Sequence, residues 1–490
     1  MFKSTFESLY KYQCPDWFRN AKFGIWSHWG PQSVPMYGDW YARNMYCQGH
    51  PQNLYHVRKY GHPSQFGYKD ICKLWKAERF NPDELMSLYH KAGARYFVAQ
   101  AMHHDHFFNY ASKLNKFNSV NIGPMTDICM MWKKAASKFS LPFGLSEHLG
   151  AAFTWWKTNK WHDTYGCYKD IPYDGNDPEY QDFYFDNYEC VSDDRSLIAT
   201  PWYTTNKKFH EYWLSVMKEV IDMFQPDILY SDGALPFGTH WEPQYVVEKM
   251  SVPGDPCYHV GLEAVSYYYN KSIALHGRNN AVYLQKDRRP EIYCVGVLDI
   301  EKSQLKAVSE RPWHTDTCIG DWFYDVRQEY KSPALIIEIL IDIVAKNGCM
   351  LLNILQKPDG TIDCETIFIL EELANWFAVC GDAIYSTRPW RVYGEGDSCA
   401  VIEDFREDKT SWNSSDFRFT AKDNKLYAFI LKAPENNIVV IKSLTETDRV
   451  SSVKLMGGGQ LEFNQSFGIL TVKLAKELPT EYTNCLEIIL

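Results

Sequence analysis

Ionisable side chains fall repeatedly just after short apolar runs in this 490-residue chain. Asp232 follows the run Ile-Leu-Tyr-Ser at 228–231 and precedes Gly233, where the missing Cβ lets a ligand come close. Two carboxyl groups about 5–5.5 Å apart can cleave a glycosidic bond with retention, one as nucleophile and the other as acid/base. The sequence therefore predicts Asp232 as an ionised nucleophile. The alternative is a turn aspartate that caps the next helix.

Histidines form a second set of chemically capable residues. His103 and His104 follow an apolar run and could bind sugar hydroxyls or a metal ion, with His28 and His106 completing a ligand set. Neighbouring residues of a strand point to opposite faces, so we expect His103 and His104 to be poor joint ligands. We therefore predict that these histidines hold no metal ion. No cofactor is expected either.

The elements that must position these side chains follow a repeating order of strand, polar strand end and helix. Strands are predicted at 23–26, 96–100, 143–146, 228–232, 281–284 and 350–353. Helices are predicted at 82–92, 127–139, 207–224 and 335–346. This rhythm is typical of an α/β fold with a (β/α)8-like TIM barrel. The ionisable residues then gather at the C-terminal ends of the strands, where barrel enzymes have their active sites.

The pattern changes after Trp390. Short alternating runs are predicted as strands at 417–420, 426–430, 439–441, 453–455, 461–463, 468–472 and 486–489. They indicate a C-terminal all-β sandwich. We predict a catalytic barrel domain at 1–385 and a sandwich domain at 386–490. A long irregular insertion at 158–203 is expected to shape a substrate site or a subunit contact.

Composition narrows the function. The net charge of −10 disfavours nucleic acid, and the aromatic fraction of 16% suits stacking on sugars as well as core packing. The 14 cysteines form no CxxC pair and are predicted to be reduced. The apolar stretch at 334–345 is too short to cross a bilayer, so no membrane association is expected. No signal peptide is visible, which predicts a cytoplasmic protein, or a secreted or periplasmic one if a leader has been removed.

Five ordered segments resemble glycoside hydrolase family 29, the α-L-fucosidases. They are residues 21–30 (AKFGIWSHWG), 102–107 (MHHDHF), 226–233 (PDILYSDG), 347–354 (NGCMLLNI) and 381–390 (GDAIYSTRPW). Residues 286–288 (KDR) are similar to the family's Asn-Asp-Arg. Residues 143–148 (FGLSEH) depart from the family's Tyr-Tyr-Ser type of sequence, which leaves the preferred sugar or linkage open.

The resemblance implies a retaining mechanism in which Asp232 forms the glycosyl-enzyme. It also implies that His28, His103 and His104 hold the fucose hydroxyls and that Trp40 lines the pocket, beside Asp39 where many members carry Glu. The predicted substrate-binding residues are His28, Trp29, Asp39, Trp40, His103, His104, Glu147, His148, Tyr230 and Arg288.

The acid/base is harder to place, because its position varies among family members. Glu301 lies close to where one branch of the family has it. A Trp-Glu pair that serves another branch is Trp313-His314 here, which favours Glu301. Glu291 and Glu310 stay open as alternatives.

Together these features predict a retaining exo-α-L-fucosidase that acts on a fucosylated oligosaccharide or polysaccharide. A related α-L-glycosidase such as an α-L-galactosidase is one alternative. A catalytically silent fucose- or glycan-binding protein is another, and a metal-dependent hydrolase is a third. The sequence is compatible with a homo-oligomer and does not define the oligomeric state.

Overall fold

Eight parallel strands curl into a barrel in the computed structural model of the chain, which describes residues 1–191, 202–237, 260–398, 400 and 411–490. The strands are β1 (Phe23–Ser27), β2 (Phe97–Met102), β3 (Phe143–Glu147), β4 (Ile228–Ser231), β5 (Val282–Gln285), β6 (Val297–Leu298), β7 (Trp313–Cys318) and β8 (Gly348–Asn353). They pair in the order β6-β5-β4-β3-β2-β1-β8-β7. A parallel bridge between Asp299 and His314 closes the ring from β6 to β7.

The barrel strands are buried on both faces, as expected for a parallel sheet covered by helices. Every residue of β2 and β8 is buried, for example. The layers pack so closely that Gly24 of β1 could not carry a side chain, because a Cβ there would lie 2.2 Å from the Tyr96 ring. The six strands predicted from sequence are confirmed; β6 and β7 were not predicted.

Helices surround the barrel. They are α1 (Phe6–Leu9), α2 (Asp16–Ala21), α3 (Tyr41–Asn44), α4 (Pro51–Lys59), α5 (Tyr68–Leu74), α6 (Pro82–Lys91), α7 (Ile128–Lys138), α8 (Ala152–Trp155), α9 (Gln181–Tyr184), α10 (Lys207–Phe224), α11 (Val260–His276), α12 (Pro290–Tyr293), α13 (Pro333–Ala345) and α14 (Cys364–Cys380). Side chains of Asn81, Asp127 and Asn206 accept backbone hydrogen bonds that begin α6, α7 and α10. All four predicted helices are present.

Two antiparallel sheets follow the barrel. Their strands are β9 (Arg388–Glu395), β10 (Phe417–Lys422), β11 (Lys425–Ile430), β12 (Ile438–Ile441), β13 (Ser452–Leu455), β14 (Phe463–Ser466), β15 (Ile469–Lys473) and β16 (Asn484–Ile489). One sheet has the order β13-β16-β11-β10-β9 and the other β12-β15-β14. Apolar residues of both sheets, among them Phe417, Val439 and Leu470, form one core. The predicted fold class, a barrel followed by a β-sandwich, is confirmed.

A buried ion pair joins the barrel to the sandwich. Asp342 of α13 contacts the guanidinium group of Arg418 in β10, and its second oxygen lies 2.6 Å from the Lys346 ammonium. The indole of Trp412 also donates to Glu338 of α13 at 3.1 Å. These contacts anchor the start of the sandwich to the outer face of a barrel helix.

No disulfide joins the cysteines that the structure describes; Cys257 and Cys399 lie outside the described residues. The insertion at 158–203 consists of 3-10 turns, α9 and irregular chain where it is described, and residues 192–201 lie outside that part. Among the described helices, we find none with both the length and the hydropathy needed to span a membrane.

Candidate active site

Four histidines meet at the C-terminal ends of neighbouring barrel strands. His28 follows β1, His103 and His104 follow β2, and His148 follows β3. The His103 ring centroid lies 4.9 Å from that of His28 and 4.5 Å from that of His148. His104 lies 5.3 Å from His148. The structure thus brings together the four histidines that the sequence placed at the ends of three different strands.

Asp232 lies at the end of β4, against this histidine cluster. Its Oδ2 is 3.2 Å from His104 Nε2 and 3.2 Å from His148 Nδ1, and its Oδ1 is 2.9 Å from the Lys286 ammonium. Burial alone would raise the pKa of Asp232, but Lys286, His148 and His104 outweigh it and hold the pKa well below its usual range. Asp232 is therefore a carboxylate at every pH near neutrality.

Glu301 faces Asp232 across the mouth of the barrel, on the loop after β6. Its Oε2 lies 2.5 Å from the Lys286 ammonium, and its Oε1 accepts a hydrogen bond of 3.0 Å from the Trp322 indole. Burial and the charges of Asp316 and Asp232 raise the pKa of Glu301 against the opposing pull of Lys286. Glu301 therefore holds a proton more readily than an ordinary glutamate.

Lys286 is the residue that the two carboxylates share. Its ammonium lies 2.9 Å from Asp232 Oδ1 and 2.5 Å from Glu301 Oε2. These two carboxyl oxygens are therefore at most 5.4 Å apart, which is the sum of the two distances. Burial would lower the pKa of Lys286, but the surrounding carboxylates raise it well above its usual range. In the sequence, Lys286 stands out only as the first residue of the Lys-Asp-Arg segment, which by itself indicates no role for it.

A buried acidic pair lies beneath Lys286. Asp316 of β7 is 3.4 Å from the Lys286 ammonium, and its carboxyl group shares a hydrogen bond with that of Asp299. Burial raises the pKa of Asp316 to about 8 and that of Asp299 to about 7. Tyr230 donates a hydrogen bond of 3.1 Å to Asp316. The two carboxyl groups share a proton near neutral pH. Neither of them was predicted as a site residue, whereas Tyr230 was.

Three of the four histidines, His28, His103 and His148, are neutral hydrogen-bonding groups. Burial lowers the pKa of His28 and His103 well below the usual value and that of His148 to about 4. His103 Nδ1 is 2.9 Å from the Gln32 amide, and His104 Nδ1 donates to the His148 carbonyl at 2.6 Å. His28 Nδ1 is buried without a hydrogen-bond partner among the described residues. Such a group suits a polar ligand that enters the pocket.

The same cluster contains two groups of side chains that could hold a metal ion. Two groups of three, His28 with His103 and His148, and His104 with His148 and Asp232, each have ligand atoms within 4.8 Å of one another. His103 and His104 do not share a group, in line with the prediction that they are poor joint ligands. Strand alternation is not the reason, because β2 ends at Met102 and the two rings lie only 4.6 Å apart.

Indole rings form the wall of the pocket. Trp40 lies 6.0 Å from Trp155 and 6.2 Å from Trp202, measured between ring centroids. Trp322 lies 5.6 Å from His28 on the other side. The backbone of Trp40 is left-handed, with φ of 56°, a costly conformation that recurs at functional sites. Only Trp40 of these four was predicted; Trp155 ends α8, and Trp202 and Trp322 lie on loops without a sequence signal.

Three predicted substrate-binding residues lie elsewhere. Trp29 packs against Trp75 with ring centroids 4.9 Å apart, because it points to the opposite side of the chain from His28. Glu147 is turned toward α10, where its Oε2 accepts from the Trp213 indole at 3.3 Å. Arg288 is exposed in a side groove of the surface, and Lys286 is the member of that segment beside Asp232.

Two further predicted residues lie next to the pocket rather than in its centre. Tyr230 is buried below Asp232, and its hydroxyl is 3.4 Å from Asp232 Oδ1. Asp39 lies at the rim, where its backbone N–H donates to Asp321 at 3.2 Å. Burial and the charge of Asp321 raise the pKa of Asp39 well above its usual range.

The alternative acid/base residues are remote from the cluster. Glu291 and Glu310 are both exposed, and Glu310 lines a groove with the N-terminal residues of the chain. His106, proposed as a further metal ligand, is turned away from the cluster. Its ring nitrogens contact the Phe183 carbonyl at 2.9 Å and the Tyr212 hydroxyl at 2.8 Å.

Two carboxyl groups lie at the C-terminal mouth of a (β/α) barrel, in a pocket of histidines and indoles. This arrangement is typical of a glycoside hydrolase. The family model for α-L-fucosidase matches residues 1–382, and the model for the α-L-fucosidase C-terminal domain matches residues 410–488. The chain belongs to the α-L-fucosidase family.

Individual relatives match over nearly the whole chain. The tissue α-L-fucosidase of Rattus norvegicus is 26% identical over 466 residues, which are 92% of this chain and 83% of that protein. The plasma α-L-fucosidase of Homo sapiens is 26% identical over 473 residues, 94% of this chain and 85% of that one. A Thermotoga maritima α-fucosidase solved with a mechanism-based inhibitor is 25% identical, with a TM-score of 0.75 and 100% coverage of both chains.

Proposed function

We propose that this chain is a retaining exo-α-L-fucosidase that releases terminal α-L-fucose from oligosaccharides or glycans. The observation that supports this most is the shared ammonium of Lys286, which keeps an oxygen of Asp232 and one of Glu301 within 5.4 Å, the sum of its two contacts. A carboxyl separation of about 5–5.5 Å is typical of retaining enzymes, whereas inverting enzymes need room for a water molecule.

Asp232 is the nucleophile in this proposal. Its Oδ attacks the anomeric carbon while the bond from that carbon to the leaving oxygen breaks. Glu301 gives its proton to that oxygen and becomes a carboxylate, which then takes a proton from the water that hydrolyses the intermediate. The environments suit these roles, because the pKa of Asp232 is lowered and that of Glu301 is raised.

Sugar recognition falls to the residues around Asp232. We propose that His28, His103, His104 and His148 bind the hydroxyl groups of fucose, since imidazole nitrogens can form hydrogen bonds with hydroxyl groups. Trp40 and Trp322 then pack against the apolar faces of the ring. A fucosylated glycan is the partner that such a pocket fits.

The test compares wild type with Asp232→Ala on 4-nitrophenyl α-L-fucoside. We expect turnover by wild type and a loss of at least about 1,000-fold in the variant, because alanine cannot form the covalent bond to the sugar. Asp222→Ala is a matched control, since Asp222 is a surface carboxylate of α10 bound to Lys271 at 2.7 Å. Absence of turnover by folded wild type on this substrate and on α-L-galactosides would contradict the proposal.

A further inference from the structure

Lys286 has a position that the two-carboxylate mechanism does not itself require. It follows β5, and its backbone N–H donates to the Gly233 carbonyl at 2.6 Å, which ties it to the residue after Asp232. Its side chain is only 14% exposed. The ammonium group is thus held between the two carboxylates by its own backbone and by the barrel wall.

The groups facing this ammonium come from four parts of the barrel. Tyr230 lies in β4, and Asp232 directly follows that strand. Asp299 and Glu301 follow β6, Asp316 and His314 belong to β7, and His148 follows β3. Asp316 anchors the ammonium from below at 3.4 Å. Because of this third contact, the Lys286 ammonium stays in position when either Asp232 or Glu301 loses its charge.

We propose that Lys286 is the shared counter-ion of the reaction, paired with Asp232 before glycosylation and with Glu301 after it, and this rests on the proposed function. Attack converts the Asp232 carboxylate into a neutral ester, and proton donation converts the neutral Glu301 into a carboxylate. One negative charge has therefore moved from the first residue to the second. Both lie within 2.9 Å of the same ammonium, so no cation has to move with the charge.

The same arrangement changes the proton affinity of Glu301 between the two steps of the reaction. Before attack, the Asp232 charge offsets the effect of Lys286 and favours the protonated acid. After attack that charge is gone, and Lys286 favours the carboxylate that must act as base. A neutral residue in place of Lys286 would remove the positive charge that favours the Glu301 carboxylate in the second step. The segment is similar to the family's Asn-Asp-Arg, so asparagine is a natural replacement.

The experiment measures kcat/KM against pH for wild type, Lys286→Asn and Lys286→Arg. Loss of the ammonium raises the proton affinity of both carboxyl groups, so both limbs of the bell-shaped profile move to higher pH, by about one to three units. Lys286→Arg keeps the charge and keeps the profile near that of wild type. A purely structural role would lower the bell without moving it, and that result overturns the proposal.

Lys138→Met is the matched control for loss of one lysine charge. Its ammonium pairs with Asp83 at 2.5 Å on the surface, and the lysine side chain is 59% exposed. We expect its pH profile to coincide with that of wild type.

Binding of a cation gives a readout that needs no turnover. 1-Deoxyfuconojirimycin is a fucose-shaped iminocyclitol with a positive charge, and we expect Lys286→Asn to bind it about tenfold more tightly than wild type by calorimetry. Binding of neutral fucose should stay within about threefold. Unchanged affinity for the cation overturns the proposal for Lys286, whereas an inactive wild type contradicts the proposed function alone.

Discussion

Replacing Glu301 with glutamine separates proton donation from the rest of this residue's contacts. Glutamine keeps an oxygen that can accept the 3.0 Å hydrogen bond from Trp322, and it has nearly the same volume. What is lost is the exchangeable proton and the charge that contacts Lys286 at 2.5 Å. Glu301→Gln should therefore fold like wild type and fail only in the steps that need an acid or a base.

The size of the effect depends on the leaving group. General acid catalysis contributes about 100- to 10,000-fold, so kcat/KM on a natural fucosylated glycan should fall by that factor, about 3–5 kcal/mol of transition-state stabilisation. Nitrophenolate leaves without a proton, so kcat/KM on 4-nitrophenyl α-L-fucoside should fall by less than about tenfold. The ratio of the two losses isolates the acid from any general damage to the site.

The assay follows released fucose from a fucosylated oligosaccharide and nitrophenolate from the aryl fucoside, with the same enzyme preparations. Glu291→Gln and Glu310→Gln are the matched controls, because both glutamates are exposed and both are rival assignments. Equal losses on the two substrates would refute the acid role of Glu301. Wild-type behaviour of Glu301→Gln, with a selective loss in one control, would move the role to that residue.

Three further outcomes are expected. The folded protein keeps the Asp316 proton up to about pH 8 while the unfolded chain releases it near pH 4, so this site makes stability fall as pH rises between those values. Asp316→Asn should flatten that slope in urea unfolding measured from pH 5 to 8, and an unchanged slope would contradict the raised pKa. Arg418→Ala should lower the free energy of unfolding by about 3 kcal/mol, because Asp342 loses one of the two buried cations that contact it in the described part of the chain and keeps Lys346; a melting temperature equal to that of wild type would contradict this. Dialysis against a chelator should leave kcat unchanged, and loss of activity restored by zinc would show that the histidine cluster holds a metal.

The sequence predicted the fold well where strands are apolar. β2 and β8 are continuous buried runs, which a parallel sheet covered by helices requires. β7 was missed because two of its residues, His314 and Asp316, are polar although they are buried inside the barrel. His314 contacts Asp299 and Asp316 contacts Lys286, so neither adds to an apolar run. β6 was missed because it contains only two residues.

The site could be predicted in part for a related reason. Strand ends are visible in sequence, so Asp232 and the four histidines could be placed at one end of the barrel. Side-chain direction is not visible there, and Trp29 points away from the pocket although its neighbour His28 enters it. Lys286 and Trp322 gain their importance only from distances across the barrel, which no local pattern encodes.

In the proposed reaction, Asp232 forms a covalent bond to the sugar. The most direct test incubates the protein with 2-deoxy-2-fluoro-fucosyl fluoride, whose glycosyl-enzyme hydrolyses slowly, and locates the label by mass spectrometry of peptides. We predict one fluorofucosyl group per chain, on the peptide that contains Asp232, and none on Asp232→Ala. A label on another carboxylate, or turnover of the reagent with inversion at the anomeric carbon, would contradict the account.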